Sequence, residues 1–281
     1  MISTKECKEC CLDQIKRLGI ILDIDPKPVL DEFEKEYTKG EIKTAPEYAE
    51  FIFNEFSKIT GIDDPYRDIK KESNKEALRL LPMVHDFISK KYSGLTYSIE
   101  TAIVGNMIDY GAFKEVNIEE FIKAALSAPY FRFDIEAFKK DLESSKTILY
   151  IADNAGEIFF DVTLLKHIRD MGKSIYFAVR GAPIINDVTH EDATFADIHE
   201  CASIISTGAK IPGIVMSKCS KEFEEIFYKA DMIISKGQGN FETLYISKPR
   251  QEKLYYLFVV KCKSVAELIS AKINDKVLMK A

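Results

Sequence analysis

The sequence predicts an α/β protein: a mostly parallel sheet covered by helices on both faces, preceded by an all-helical N-terminal domain. Three observations lead there. Up to about residue 142, apolar residues recur at spacings of three and four between turn residues, which is the helical period. After Lys146, short apolar runs alternate with amphipathic stretches, the pattern of βαβ units whose sheet is covered on both faces. Several of those runs stop abruptly in polar, glycine-bearing segments, as strands do where an open sheet meets a ligand. The change falls near residue 145 without a Pro/Gly/Ser-rich linker, so a helical domain over 1–145 and an α/β domain over 146–281 are expected to pack closely.

Taken in order, Leu12, Ile15, Leu18 and Ile21 mark a first helix, ended by Asp25-Pro26. Val29, Leu30, Phe33 and Tyr37 mark a second. Ala45-Pro46 opens a third, which carries Ala49, Phe51, Ile52 and Phe56 and closes at Gly61. After D-D-P-Y, a helix runs through Ile69, Leu78 and Leu81 to Pro82, where the missing N–H is expected to end it, and another covers 83–91. The stretch E-T-A-I-V-G-N-M-I-D-Y-G, 100–111, is a largely apolar helix. Its Asn106 and Asp109 share a face, and either reach a common pocket or sit at the helix end. Segments 118–125 and 135–142 complete the helical part. Beyond it, 148–152, 174–179, 202–205, 232–235 and 253–260 read as strands, with helices at 157–171, 193–200 and 215–230.

Composition narrows the function. The formal net charge of −6 and a pI near 5.5 disfavour a nucleic-acid or anionic-membrane partner. No apolar stretch approaches the length of a membrane span, and M-I-S-T-K-E-C has no signal-peptide core, so a cytoplasmic protein is expected. The six cysteines are then reduced thiols. Cys7 and Cys10 form a C-x-x-C, followed by Cys11, but no second pair completes a zinc site; the motif is either a redox pair over the active site or two core thiols.

The strand ends carry the chemistry. The first leads into Asp153, Asn154, Ala155, Gly156 and Glu157, offering a carboxylate and an amide oxygen suited to a divalent cation, although either residue also suits a helix N-cap. The second runs into R-G-A-P-I-I-N-D-V-T-H-E-D-A, with Arg180, Asn186, Asp187 and Thr189. The strand ending at Ser235 gives K-G-Q-G-N-F-E-T-L, a lysine and a glycine-rich turn at a helix start that would let a backbone approach an anion. Glu157, Arg180 and Asn240 are pocket candidates on position. Carboxylates, amides and cations on one sheet edge match phosphate chemistry on a metal.

The blocks D-N-A-G-E-I, V-R-G-A-P-I-I-N-D-V-T-H-E-D-A and A-D-M-I-I-S-K-G-Q-G-N-F-E-T-L resemble the hallmark blocks of the domain-of-unknown-function 89 family, described as metal-dependent damage-control phosphatases. C-K-E-C, D-P-Y followed by Lys70 and Asn74, and G-N-M-I-D-Y-G resemble the archaeal and bacterial branch with an N-terminal CxxC. The resemblance covers nearly the whole chain. It implies a helical N-terminal domain packed on a Rossmann-like three-layer α/β/α domain, and one divalent cation (manganese, magnesium, cobalt or nickel) held by Asp153, Asn154 and Asp187, with Lys236 meeting the substrate phosphate and Asn106 and Asp109 in the pocket.

The function so implied is hydrolysis of phosphate monoesters of small metabolites, sugar phosphates or related damaged phosphometabolites. Asp153 would serve either as the nucleophile or as a ligand beside an attacking water. The competing readings are an S-adenosylmethionine-dependent methyltransferase, disfavoured because D-N-A-G-E lacks the G-x-G-x-x-G turn, and a non-catalytic module that binds a phosphorylated ligand.

Overall fold

The structure, a computed structural model, describes residues 4–42, 44–107 and 118–281. Helix α1 (Lys5–Leu22) starts at Thr4, whose hydroxyl accepts the Cys7 N–H, and buries Cys7, Cys11, Ile15 and Leu18 along one stripe. Helix α2 (Lys27–Lys39) buries Val29 and Phe33, and α3 (Ala45–Thr60) opens on a capping box between Thr44 and Glu47. Their buried faces meet in one cluster, which also takes in Ile184 from far along the chain.

Helix α4 (Arg67–Ser89) is continuous, not the two helices expected on either side of Pro82. Pro82 is exposed, and so is Leu78, the residue whose carbonyl loses its helical partner there. Ala77, Leu80, Val84 and Ile88 are buried on both sides of the proline and hold the two halves to the same core. Helix α5 (Gly94–Met107) follows, then α6 (Ile118–Ser127). Asp109 lies outside the described residues.

The rest alternates strand and helix: β1 (Tyr130–Phe133), α7 (Ile135–Ser144), β2 (Thr147–Ile151), α8 (Ile158–Asp170), β3 (Ser174–Val179), α9 (His190–Phe195), β4 (Ser203–Ser206), α10 (Lys221–Lys229), β5 (Met232–Lys236), α11 (Gln238–Ser247), β6 (Leu254–Val259), α12 (Lys263–Ile269) and β7 (Lys276–Lys280). The strands form one sheet in the order β1-β7-β6-β5-β2-β3-β4, parallel throughout except between β6 and β7. Along β2, Ile148 and Tyr150 enter one core while Leu149 and Ile151 enter the other, so the strand is apolar on both faces. This is the doubly covered, mostly parallel sheet that the alternation predicts.

Two strands were not expected. β1 and β7 are short and pair with each other across the length of the α/β part, so no local pattern announces them. The sheet thus begins ahead of residue 145, and α4 and α5 share a core cluster with β2 and β5. Lys276 is buried at the start of β7 because its Nζ reaches Glu100 at 3.1 Å and lies 4.5 Å from the Tyr130 ring centroid. The helix expected over 193–200 is α9 followed by a 3-10 turn at Ile198–Glu200; that over 215–230 is a 3-10 turn and then α10, restarted by the N-cap Ser220. Among the described residues no helix is long and apolar enough to cross a membrane.

Candidate metal and phosphate site

Strands β5, β2 and β3 lie side by side and parallel, so their carboxyl ends open together. The turns that follow β2 and β3 are joined by their backbones: the Val188 N–H donates to Asp153 O (2.9 Å), the Ala155 N–H to Asn186 O (2.8 Å), and Asn154 faces Asp187 as an antiparallel bridge. That pairing brings Asp153, Asn154 and Asp187 together from two strands. From β5 the chain passes into Gly237 at φ 78°, where a Cβ would stand 2.0 Å from the Asp153 carboxylate. Only glycine leaves room for that side chain. On the opposite side, Gly105 lets α5 lie directly on Phe160 of α8, which sets Asn106 over the same carboxylate.

Each of the three expected ligands keeps one oxygen in reserve. Asp153 Oδ2 accepts from Asn154 Nδ2 (2.7 Å) and Asn106 Nδ2 (3.2 Å), and Asp187 Oδ2 accepts from Arg180 Nε (2.6 Å). Asn154 Nδ2 donates also to Glu157 Oε2 (3.2 Å), which fixes its amide the other way round. Among the described residues nothing donates to Oδ1 of Asp153, Asn154 or Asp187, and all three residues line a cavity of about 600 Å³. No trio of His, Cys, Asp or Glu among the described residues is placed to hold a cation, so the set is two carboxylates completed by an amide. Those are hard oxygen donors, and they fit a small divalent cation.

Charge points the same way. Among the described residues four carboxylates, Asp153, Glu157, Asp161 and Asp187, are buried with two buried cations paired to them, Arg180 and Lys236, while the buried Lys70 is paired with Asp64 and Asp192. Burial, then Glu157 and Asp187, push the Asp153 carboxyl up to about 7. Asp187 is also raised, by burial that the Arg180 guanidinium only partly offsets. Glu157 is the exception: burial raises it, but Lys236, Lys261 and the Asn106 amide bring it below the usual carboxylate range. A fully ionised cluster is two positive charges short, and such a deficit is costly away from water.

Five expected pocket residues stand one layer behind the cavity, and none lines it. Lys236 is fully buried, with Nζ 2.5 Å from both Glu157 Oε1 and Asp161 Oδ1 and 3.1 Å from Ala102 O. Its three donors are engaged within the protein. Glu157 receives Lys236, Asn106 and Asn154. Asn106 reaches Asp153 and Glu157 with its amide nitrogen while its oxygen accepts the Val259 N–H (3.0 Å). Arg180 holds Asp187, Gly213 O and Asn240 Oδ1, and Asn240 Nδ2 ties Ala152 O to Lys236 O. These residues hold Asp153, Asn154 and Asp187 from behind and do not line the cavity.

Two cations do face it, Arg17 from α1 and Lys261; Lys261, just after β6 in V-V-K-C-K, is exposed and near enough to lower both Asp153 and Glu157. The strand-end rule applied to β2, β3 and β5 finds it when applied to β6 as well. Gln238 and Gly239, in the first turn of α11, also line the cavity. The far wall is α1, through Cys10, Gln14 and Arg17. Burial pushes the Cys10 thiol up and Cys11 up to about 12, so both are protonated thiols near neutral pH, without the thiolate character of a redox nucleophile.

Comparison with known proteins gives the family. The model of the damage-control phosphatase ARMT1-like domain matches residues 4–277. A damage-control phosphatase of Pyrococcus horikoshii is 34% identical over 271 residues, covering 93% of this chain and 92% of that protein. An uncharacterized protein of Methanocaldococcus jannaschii is 41% identical over 229 residues, covering 79% of this chain and 75% of its own length. The crystal structure of a DUF89 family protein from Pyrococcus horikoshii superposes with a TM-score of 0.87 at 32% identity, covering 100% of this chain and 99% of that one. The chain belongs to the damage-control phosphatase ARMT1-like domain family.

Proposed function

We propose that the chain hydrolyses phosphate monoesters of small metabolites, sugar phosphates or related damaged phosphometabolites, with one divalent cation held by Asp153, Asn154 and Asp187. The observation that carries this reading is the charge deficit: four buried carboxylates against the two buried cations paired to them, with three oxygens left without hydrogen bonds at a cavity. A cation there supplies polarisation of the phosphoryl oxygens and takes up their charge. Manganese, magnesium, cobalt and nickel all accept such a donor set.

The chain's own residues do the rest. Lys261 neutralises charge on the equatorial phosphoryl oxygens, the main demand of a loose phosphoryl-transfer transition state. The first-turn N–H groups of α11, at Gln238 and Gly239, add donors at the positive end of that helix. Gln14 and Arg17 on α1 meet the remainder of the metabolite, and a cavity of about 600 Å³ suits a molecule of that size rather than a nucleic acid or a membrane. Lys236 and Arg180 hold Glu157 and Asp187 so that the ligands do not spread under their mutual repulsion.

The test is release of inorganic phosphate from a panel of phosphomonoesters by metal-stripped protein, with each of the four cations restored singly. Turnover should require a cation and vanish in Asp187→Asn. Turnover without any cation would contradict the reading, and saturable binding with no turnover under any cation would leave a non-catalytic binding module.

A further inference from the structure

The turns that carry Asp153, Asn154 and Asp187 are zipped to each other through their backbones, and away from the cavity both end on one pair of buried side chains. Asn74, on α4 and 2% exposed, accepts the Gly156 N–H at Oδ1 (2.6 Å) and donates through Nδ2 to Asp192 Oδ1 (3.0 Å). Asp192, in the first turn of α9 and 5% exposed, accepts with Oδ2 both the N–H and the hydroxyl of Thr189 (3.0 and 2.8 Å). Thr189 is two residues beyond Asp187, as Gly156 is two beyond Asn154. Lys70, one turn before Asn74 and also buried, lies 3.0 Å from Asp64 and 3.5 Å from Asp192, which compensates the charge of the pair.

We infer that Asn74 and Asp192 are positioning residues for the cation site, a hydrogen-bonded strut that sets the distance between the turn bearing Asp153 and Asn154 and the turn bearing Asp187. The inference rests on the cation reading above. The polarity of the strut is fixed at both ends. A backbone N–H only donates, so Asn74 must turn its oxygen to Gly156 and its NH2 to Asp192. The Thr189 N–H engages the second Asp192 oxygen, and an ionised carboxylate is the partner that accepts on both sides. Asp153 and Asp187 repel each other, and their turns need a brace from behind to keep three oxygens at one cation's distance. Because α4 belongs to the helical half of the chain, the cation site depends on how that half is seated.

The fixed polarity gives a direct test. Asn74→Asp sets carboxylate against carboxylate, and Asp192→Asn sets an NH2 against another donor. In the double variant Asn74→Asp/Asp192→Asn every bond returns: the introduced carboxylate accepts from Gly156 and from the introduced amide, whose oxygen takes Thr189. The affinity of metal-stripped full-length protein for Mn2+ is read from the electron paramagnetic resonance of the unbound ion, alongside the melting temperature without cation. Each single variant should bind Mn2+ about 10–100-fold more weakly, the usual range for partners behind metal ligands. The double variant should return to within about threefold of the parent, a strongly non-additive cycle. Single variants that melt lower yet bind Mn2+ like the parent would overturn the inference, as would a double variant weaker than either single. Asp187→Ala separates the two levels. If the parent binds Mn2+ no better than Asp187→Ala, the cation reading fails and the strut's role falls with it. If Asp187→Ala abolishes binding while the Asn74 and Asp192 variants do not weaken it, the inference alone is wrong.

Discussion

At the scale of residues, two lysines that look alike in sequence divide the work. Lys236 has no exposed surface and three acceptors around its Nζ, whereas Lys261 stands exposed at the cavity. Lys236→Met leaves Glu157 and Asp161 buried without their cation, and is expected to cost about 3–5 kcal/mol of folding stability, visible as a lower midpoint in urea. Lys261→Met should leave that midpoint nearly unchanged while lowering kcat/KM about 100-fold, as removal of one charge-stabilising donor does. Equal loss of stability in both variants would contradict this division. That Asp153, Asn154 and Asp187 come together at one cavity was legible in the sequence because strand ends of a parallel sheet share an edge. The depth of a side chain was not legible. Lys236 ends one strand and Lys261 follows another, but only packing of α5 and α8 over β5 turns the first inward, and that packing depends on Gly105 and Phe160, far apart in the chain.

Elements show the same split between local and distant causes. The start of α3 at Ala45-Pro46 and the apolar runs of β2, β3, β5 and β6 are local, and the sequence reading places them within a residue or two. β1 and β7 have only each other and β6 as a reason to be strands, which periodicity does not register. Helix α4 crosses Pro82 because tertiary contacts on both sides outweigh one lost hydrogen bond. Pro82→Ala is accordingly expected to stabilise the protein by about 1–2 kcal/mol, the restored helical bond exceeding the gain in unfolded-chain entropy, with activity unchanged. A lower melting temperature would mean that the proline itself seats α4. The turn between β5 and α11 offers a sharper comparison. Gly237 and Gly172 both have φ near +78°, but a Cβ at Gly172 meets nothing within 4 Å and one at Gly237 meets the Asp153 carboxylate. Gly172→Ala should therefore cost about 1 kcal/mol of stability and leave Mn2+ affinity intact, whereas Gly237→Ala should also abolish Mn2+ binding.

For the whole molecule, the cluster makes stability depend on pH and cation together. Burial raises Asp153 and Asp161 alike to about 7 from an ordinary value of 3.8, so the folded chain holds both protons more tightly than the unfolded one. Their contribution is complete below the unfolded pKa and is lost as pH rises through about 7. Cation-free protein should thus melt at a lower temperature at pH 8 than at pH 5, by differential scanning calorimetry, and added Mn2+ should restore more at pH 8 than at pH 6 because the ligands are already deprotonated. A melting temperature that rises with pH without cation would contradict the charge deficit. The same cluster joins the two halves of the chain, since α1 and α4 from the helical part and four strand ends from the sheet all reach it. The central claim is that the Oδ1 atoms of Asp153, Asn154 and Asp187 share one divalent cation. It is tested most directly by anomalous diffraction from crystals of the protein grown with Mn2+. The account predicts one strong manganese peak at bonding distance from those three oxygens, about 2.0–2.3 Å, and none at the thiols of Cys7, Cys10 and Cys262. A cavity without a peak there, or a peak held by other side chains, would contradict it.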